Sequence, residues 1–299
     1  MANENLVVVR AGDHSLHQSW TKNAPKDWDL IVSYFGSQQS PYQKNDEVSL
    51  FVRDDGTKWD SIFRLLTDNP ALLEKYEYIW FPDDDVDIDY SGISNLFKIT
   101  AEYDLLMSQP AVLKDSHKTW QLLWHCPSFK LRYSSFIEVM APCIKTTHLK
   151  EIMYLFKYSG SGLGLDVVWC LMTEYPYQRA AVIDATPMAH TRPSRKGSLD
   201  NDLLKRRGVT REEEMHLVMS FFEVSTAQKF IIYGGVRSDG KALRANFWFF
   251  RRMAKDMLGD IWFFHFRKRT RKLIWHHLKY AIKSFQIIKI PKSDSHPEL

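Results

Sequence analysis

The chain has 299 residues, of which 44% are hydrophobic, 14% aromatic and 25% charged. Apolar content at that level excludes a disordered chain, a collagen-like repeat and a small disulfide-stapled scaffold. The net charge of +4 is unevenly spread: fourteen Lys and Arg between Lys241 and Lys292 meet only Asp256 and Asp260, so that segment carries +12 and the remainder −8. Three cysteines (Cys126, Cys143 and Cys170), an odd number without metal-ligand spacing, fit a reducing compartment and no cysteine-bound zinc. The chain opens without a signal-peptide pattern and holds no run of about 18 uncharged apolar residues, so a cytoplasmic protein, soluble or peripheral to a membrane, is expected.

In chain order, Leu6-Val7-Val8-Val9 predicts a strand closed by the turn Arg10-Ala11-Gly12-Asp13, and Asp29 to Phe35 a second strand stopped by Gly36. Trp59 to Leu66 predicts a helix with Trp59, Ile62, Phe63 and Leu66 on one face. Tyr78 to Phe81 predicts a buried strand running into Pro82-Asp83-Asp84-Asp85. Beyond it, Ser94–Thr100 predicts a helix, Asp104–Met107 and Phe136–Ala141 strands, and Leu149–Phe156 a helix. Ser159–Gly164 predicts a flexible loop, Leu165–Thr173 a helix, Ala180–Asp184 a late strand, and residues 194–210 a mobile loop leading into helices. Strands alternating with helices imply an α/β protein with a largely parallel sheet.

Three consecutive carboxylates at the end of a buried strand repel one another unless a cation shares them. The carboxyl end of a strand in an α/β sheet is also where ligands bind. Hard oxygen donors of this kind imply Mn²⁺ or Mg²⁺, completed by substrate phosphates; a solvated acidic turn is the alternative. A calcium loop of the EF-hand type needs Gly at its sixth and Glu at its twelfth position; counted from Asp83 these are Ile88 and Ser94.

The apolar strand ending in Asp83-Asp84-Asp85-Val86 resembles the Asp-x-Asp motif of A-type (GT-A) glycosyltransferases. Tyr76–Trp80, Ser108–Ala111, Phe136–Pro142 and Gly162–Asp166 are similar to the domain-of-unknown-function family 707, regarded as glycosyltransferase-like, over residues 5–193. The resemblance implies a GT-A-like, Rossmann-like core in residues 1–193; outside it, 194–240 is expected to complete the domain and 241–299 to form a helical basic extension. It implies that Asp83 lies at the donor ribose and the metal, that Asp85 binds the metal, and that Asp84 touches the sugar. A-type enzymes often add a metal-binding His, a place that His190 in Met188-Ala189-His190 would fill; a surface His is the alternative. Asp166 matches the catalytic base of inverting enzymes, with helix capping as the alternative. Arg10, Gly12 and Asp13 would receive the nucleotide, and Lys58 would neutralise a phosphate or simply be solvated. Glu138 would bind the acceptor or pair with Arg132, and Trp120 and Trp124 would stack on sugar rings or fill a core.

On a helical wheel of residues 266–285, Lys268, Lys272, His276, Lys279 and Lys283 share one face, and Ile274, Leu278, Ile282 and Phe285 the other. With Trp262 and Phe263 upstream, this reads as a segment for an anionic membrane surface. Packing on the core is the alternative; no nucleic-acid-binding motif is present. The expected function is metal-dependent transfer of a sugar from a nucleotide diphosphate donor to a glycan or lipid-linked saccharide, at the inner face of the cytoplasmic membrane. A non-catalytic carbohydrate- or nucleotide-binding protein is the other reading.

Overall fold

The computed structural model describes residues 3–22, 27–39, 48–117, 120–193, 199–206, 208–224, 230–265 and 275. The first half of the chain contains β1 (Asn5–Ala11), α1 (His17–Trp20), β2 (Asp29–Tyr34), β3 (Leu50–Arg53), α2 (Lys58–Asp68), α3 (Leu72–Lys75), β4 (Tyr78–Trp80), β5 (Val86–Asp87), α4 (Tyr90–Glu102) and β6 (Met107–Val112). Then follow β7 (Phe129–Ser134), β8 (Cys143–Lys145), α5 (Thr146–Ile152), α6 (Leu165–Met172), α7 (Pro176–Arg179) and β9 (Ala180–His190). The last elements are α8 (Leu199–Arg206), α9 (Arg211–Phe221), β10 (Ile232–Arg237), β11 (Ala242–Arg244) and α10 (Phe247–His265).

The strands form one sheet in the order β11-β10-β7-β9-β6-β8-β4-β1-β2-β3, with β5 paired separately to β9. The β3-β2-β1-β4 side and the β6-β9 pair are parallel, and β7, β8, β10 and β11 join antiparallel. Both faces are covered, which is why β1 reads as an unbroken apolar run rather than an alternation. Leu6 and Val8 enter one core cluster with Trp59, Ile62 and Trp169, while Val7 and Val9 enter the other with Trp20, Trp80 and Val182. Helix α2 buries Trp59, Ile62, Leu65 and Leu66, the stripe its spacing requires.

Several expected elements lie elsewhere. Asp104 sits in a turn at φ 47°, and the strand expected there begins only at Met107. Phe136–Ala141 is a buried irregular segment without a ladder, because distant side chains take its backbone groups. The Ile137 carbonyl accepts from Trp169 Nε1 (3.0 Å), the Ala141 carbonyl from Trp80 Nε1 (3.0 Å), and Glu138 N donates to Gln109 Oε1 (2.6 Å). Within 194–210, Leu199–Arg206 is helical rather than loop. The basic extension starts inside the domain: β11 pairs with β10, and Phe249, Phe250, Met253, Ala254 and Met257 of α10 are buried in the main core. The charged wheel of residues 266–285 falls outside the described residues, apart from an exposed Trp275. No helix among the described residues is long and apolar enough to cross a membrane.

Candidate active site

Strand β4 delivers the three aspartates. Past Trp80 the chain stays extended beside the irregular segment, with Phe81 N donating to Pro142 O (2.9 Å) and Asp83 N to Met140 O (2.8 Å). It then turns into β5, where Val86 pairs with His190 and Asp87 with Ala189 of β9. Thr191 closes the junction, its N–H and hydroxyl donating to the Asp85 carbonyl at 3.0 and 2.8 Å. This short ladder carries His190 across to the aspartates.

Each carboxylate has its own cation, which answers the repulsion among them. Asp83 pairs with Lys58 Nζ at 2.5 Å, Asp84 with an Arg192 guanidinium nitrogen at 3.0 Å, and Asp85 with His190 Nε2 at 3.2 Å. Asp84 also accepts from Gly12 N at 2.8 Å, binding the end of β1 to the cluster. A Cβ at Gly12 would lie 3.0 Å from the Phe35 ring, so a larger residue here would need that ring to give by a few tenths of an ångström. Burial pushes the Asp84 carboxyl above the usual range, partly offset by Gly12 and Arg192. Asp85 is buried and Asp84 half-buried, so a solvated turn does not describe the cluster.

Asp83, Asp85 and His190 form, among the described residues, the one His/Cys/Asp/Glu group compact enough to hold a metal ion, with their ligand atoms within 4.8 Å of one another. Asp85 Oδ1 is buried and has no hydrogen-bond partner. His190 Nδ1 lies 2.9 Å from the His117 carbonyl, which fixes the ring with Nε2 toward the carboxylates. A carbonyl on the far nitrogen is the usual support of a ligating imidazole. Burial lowers the His190 pKa, but the hydrogen bond and charge of Asp85 outweigh it and raise the pKa to about 9. Two carboxylates and an imidazole suit Mn²⁺ or Mg²⁺.

Asp166 is buried in the first turn of α6, after Gly164 at φ 91°. Burial raises its pKa to about 7, against the pull of backbone N–H groups at the helix start. Glu138, in the irregular segment, is raised to about 8 by burial and then by the charges of Asp166 and Asp83, which places it within electrostatic reach of both. Its Oε2 is buried without a partner. The alternative Glu138–Arg132 pair is not formed: Arg132 pairs with Asp184 at 2.7 Å.

Two cations expected at the donor are held by the fold instead. Lys58 is neither solvated nor free, donating to Asp83 and to the carbonyls of Phe81 (2.9 Å), Val139 (2.9 Å) and Met140 (3.0 Å). Arg10 straps strand β2 to the loop between β3 and α2, donating to Ser33 Oγ (3.0 Å), Asp54 O (2.8 Å) and Gly56 O (2.5 Å), with Phe35 against its plane. Asp13 accepts from the Tyr34 hydroxyl and from Ser37 N (3.2 Å) and Oγ (3.0 Å). Trp124 is half-buried against the main core, whereas Trp120 is 51% exposed, edge-on to Phe136 and Phe230.

The family described as protein of unknown function (DUF707) matches residues 14–227. The chain belongs to that family. The match runs past residue 193 through α8 and α9, and includes Asp83, Asp85, Glu138, Asp166 and His190. No curated protein matches the sequence. Among solved structures, S. aureus TarS is similar at TM-score 0.45 and 13% identity, over 94% of this chain and 53% of that chain. This chain therefore spans about half the length of that protein. S. aureus TarS 1–349 in complex with UDP-GlcNAc is similar at TM-score 0.45 and 10% identity, over 98% of each chain. Glucosyl-3-phosphoglycerate synthase from Mycobacterium tuberculosis, in complex with Mn²⁺, UDP and phosphoglyceric acid, is similar at TM-score 0.48 and 10% identity, over 76% of this chain and 81% of that chain.

Two residues of the site carry no local sequence signal. Arg192 neutralises Asp84 from the far end of β9 and also reaches the His14 carbonyl. Glu214, in the first turns of α9, fastens the loop expected to be flexible: its carboxylate accepts from Gly160 N (2.9 Å), Ser161 N (3.0 Å), Ser159 Oγ (3.1 Å) and the Ser161 hydroxyl. Ser159 and Ser161 are buried as a result, and Asp166 starts its helix from a fixed base.

Proposed function

We propose that the chain is a metal-dependent, inverting glycosyltransferase that moves a sugar from a nucleotide diphosphate donor to a glycan or lipid-linked saccharide, in surface polysaccharide synthesis. The observation that carries this reading is the Asp83–Asp85–His190 cluster at the carboxyl end of β4, with one Asp85 oxygen buried and unpartnered. A fully satisfied network would be structural; an orphaned carboxylate oxygen on a residue grouped with two further ligand side chains supports an incomplete coordination shell. Asp83, Asp85 and His190 would hold Mn²⁺ or Mg²⁺, which neutralises the charge of the leaving diphosphate when bound.

The chain's own groups do the rest. The nucleotide lies at the end of β1, along Gly12 and Asp13. Lys58 keeps the Asp83 carboxylate in place, and Arg192 and Gly12 keep Asp84 turned from the cluster, so the donor end is preorganised. Asp166, ionised, takes the acceptor hydroxyl proton as that oxygen attacks the anomeric carbon; a pKa near neutrality suits a general base. Glu138 accepts from a neighbouring acceptor hydroxyl, and the exposed Trp120 ring flanks the acceptor sugar. The enzyme works at the inner face of the cytoplasmic membrane, where a lipid-linked acceptor is presented.

The test is release of nucleoside diphosphate from a panel of UDP-, GDP- and TDP-sugars with Mn²⁺ present. Release from at least one donor, abolished by EDTA, is expected. Tight binding of a donor with no release under any acceptor supplied would replace this reading by that of a binding protein.

A further inference from the structure

Helix α10 has two unlike faces. Phe249, Phe250, Met253, Ala254 and Met257 are buried in the main core, with the Phe249 ring 4.9 Å from Phe129. On the opposite face Phe247 and Trp248 are 46% and 70% exposed, packed edge to face at 5.4 Å. Arg251, Arg252 and Lys255 are exposed on that same face, at helical spacing from the two rings, and Arg251 lies 6.0 Å over Trp248. Arg244, at the end of β11, is exposed just ahead of the helix. Asp256 accepts from Ser128 N and Oγ, both at 3.0 Å, and Asp239 pairs with Arg237 at 2.6 Å.

An aromatic pair ringed by cations is not how a helix faces bulk water, and the cations are unsuited to an apolar partner. Trp and Phe gain most at the boundary between head groups and acyl chains. Arg and Lys lay apolar stems along that boundary while their heads reach phosphates. Single-stranded nucleic acid would call for rings laid open as stacking platforms, whereas these two close on each other at 80°.

We propose that this face of α10 docks the protein on an anionic lipid bilayer, with Phe247 and Trp248 inserted at the interface and Arg244, Arg251, Arg252 and Lys255 against lipid phosphates. The docking rests on the peripheral placement proposed above and is independent of the sugar-transfer chemistry. It assigns membrane contact to the domain itself, ahead of residues 266–285.

Sedimentation of the full chain with phosphatidylcholine vesicles, with and without about one-third phosphatidylglycerol, tests it. Binding is expected only with the anionic lipid. Phe247→Ala combined with Trp248→Ala should weaken it about tenfold or more at fixed salt. Arg244→Ala with Arg252→Ala should weaken it about fivefold per charge. Leu217→Ala, at an exposed position on α9 (65%), should bind as wild type. All the substituted side chains are exposed, so thermal melts should coincide with wild type. Absence of wild-type binding, equal binding to neutral vesicles, or wild-type affinity in both double variants would overturn the proposal. Nucleotide release in detergent, where no bilayer is present, reports separately on the glycosyltransferase reading.

Discussion

Strand β9 carries two ionic groups, one midway along it at Asp184 and one at its carboxyl end at His190, and the two are built differently. At Asp184 the network is closed: Arg132 Nε and Nη2 donate to the carboxylate at 2.7 and 3.0 Å, and Cys126 N donates to it at 2.8 Å. Two of the remaining guanidinium hydrogens go to the carbonyls of Leu122 and Trp124, both at 2.8 Å. At His190 the network is open, because Asp85 Oδ1 has no partner. Paired charges of opposite sign are thus held in two ways. The closed network binds β7 to β9, whereas the open one leaves a buried carboxylate oxygen without a hydrogen bond. Counting hydrogen bonds separates structural from functional charge better than burial does.

The largest effect is expected at the closed network. Asp184→Ala strands a fully buried guanidinium and should destabilise the fold by about 3–5 kcal/mol, read from urea unfolding. A loss below about 1 kcal/mol would mean that water repairs the gap and that the contrast with His190 is overstated. At the open end the effect should fall on activity instead. Asp166→Asn can still accept from the N–H groups at the start of α6 but cannot take a proton, so turnover should drop about 10²–10⁴-fold with the melting temperature kept. Wild-type turnover in that variant would reduce Asp166 to a cap.

Glu214 tests the closed category a second time. Glu214→Gln replaces an acceptor of four hydrogen bonds with a group that must point an NH₂ at some of the same donors. About 1–3 kcal/mol of stability should be lost. Unchanged urea unfolding would show that the Ser159–Gly164 loop holds itself. The smallest effect concerns Asp54, where burial raises the pKa but Arg64, Gly56 and Ser61 overcome it and bring it to about 2. A depressed carboxylate pKa contributes stability above the ordinary value and loses it as pH falls through the folded one. Wild type should therefore lose its advantage over Asp54→Asn between about pH 4 and pH 2, an effect of about 1–2 kcal/mol for this partly exposed pair. Parallel acid melts of the two proteins would count against the pairing.

What the sequence disclosed follows the same division. Strands β1, β2 and β4 are legible because burial on both faces writes an unbroken apolar run. The triple aspartate is legible because three adjacent acids at a strand end demand a cation. Phe136–Ala141 is equally apolar but is no strand; its carbonyls are taken by Lys58, Trp80 and Trp169, contacts that no local pattern records. Arg10 and Lys58 are cations near the expected donor, and only the geometry shows them occupied by carbonyls. Glu214 lies more than fifty residues from the loop it fastens, so the loop's glycines alone suggest freedom. The family match to residue 227 accords with α9 being part of the site's support.

Uptake of Mn²⁺ in the presence of UDP, followed by the electron spin resonance of the free ion, bears most directly on the open cluster. Wild type should take up a single ion per chain. Asp85→Ala should bind it at least about tenfold more weakly while melting no lower. Unchanged Mn²⁺ stoichiometry and affinity in Asp85→Ala would contradict the assignment of Asp83, Asp85 and His190 as the metal site.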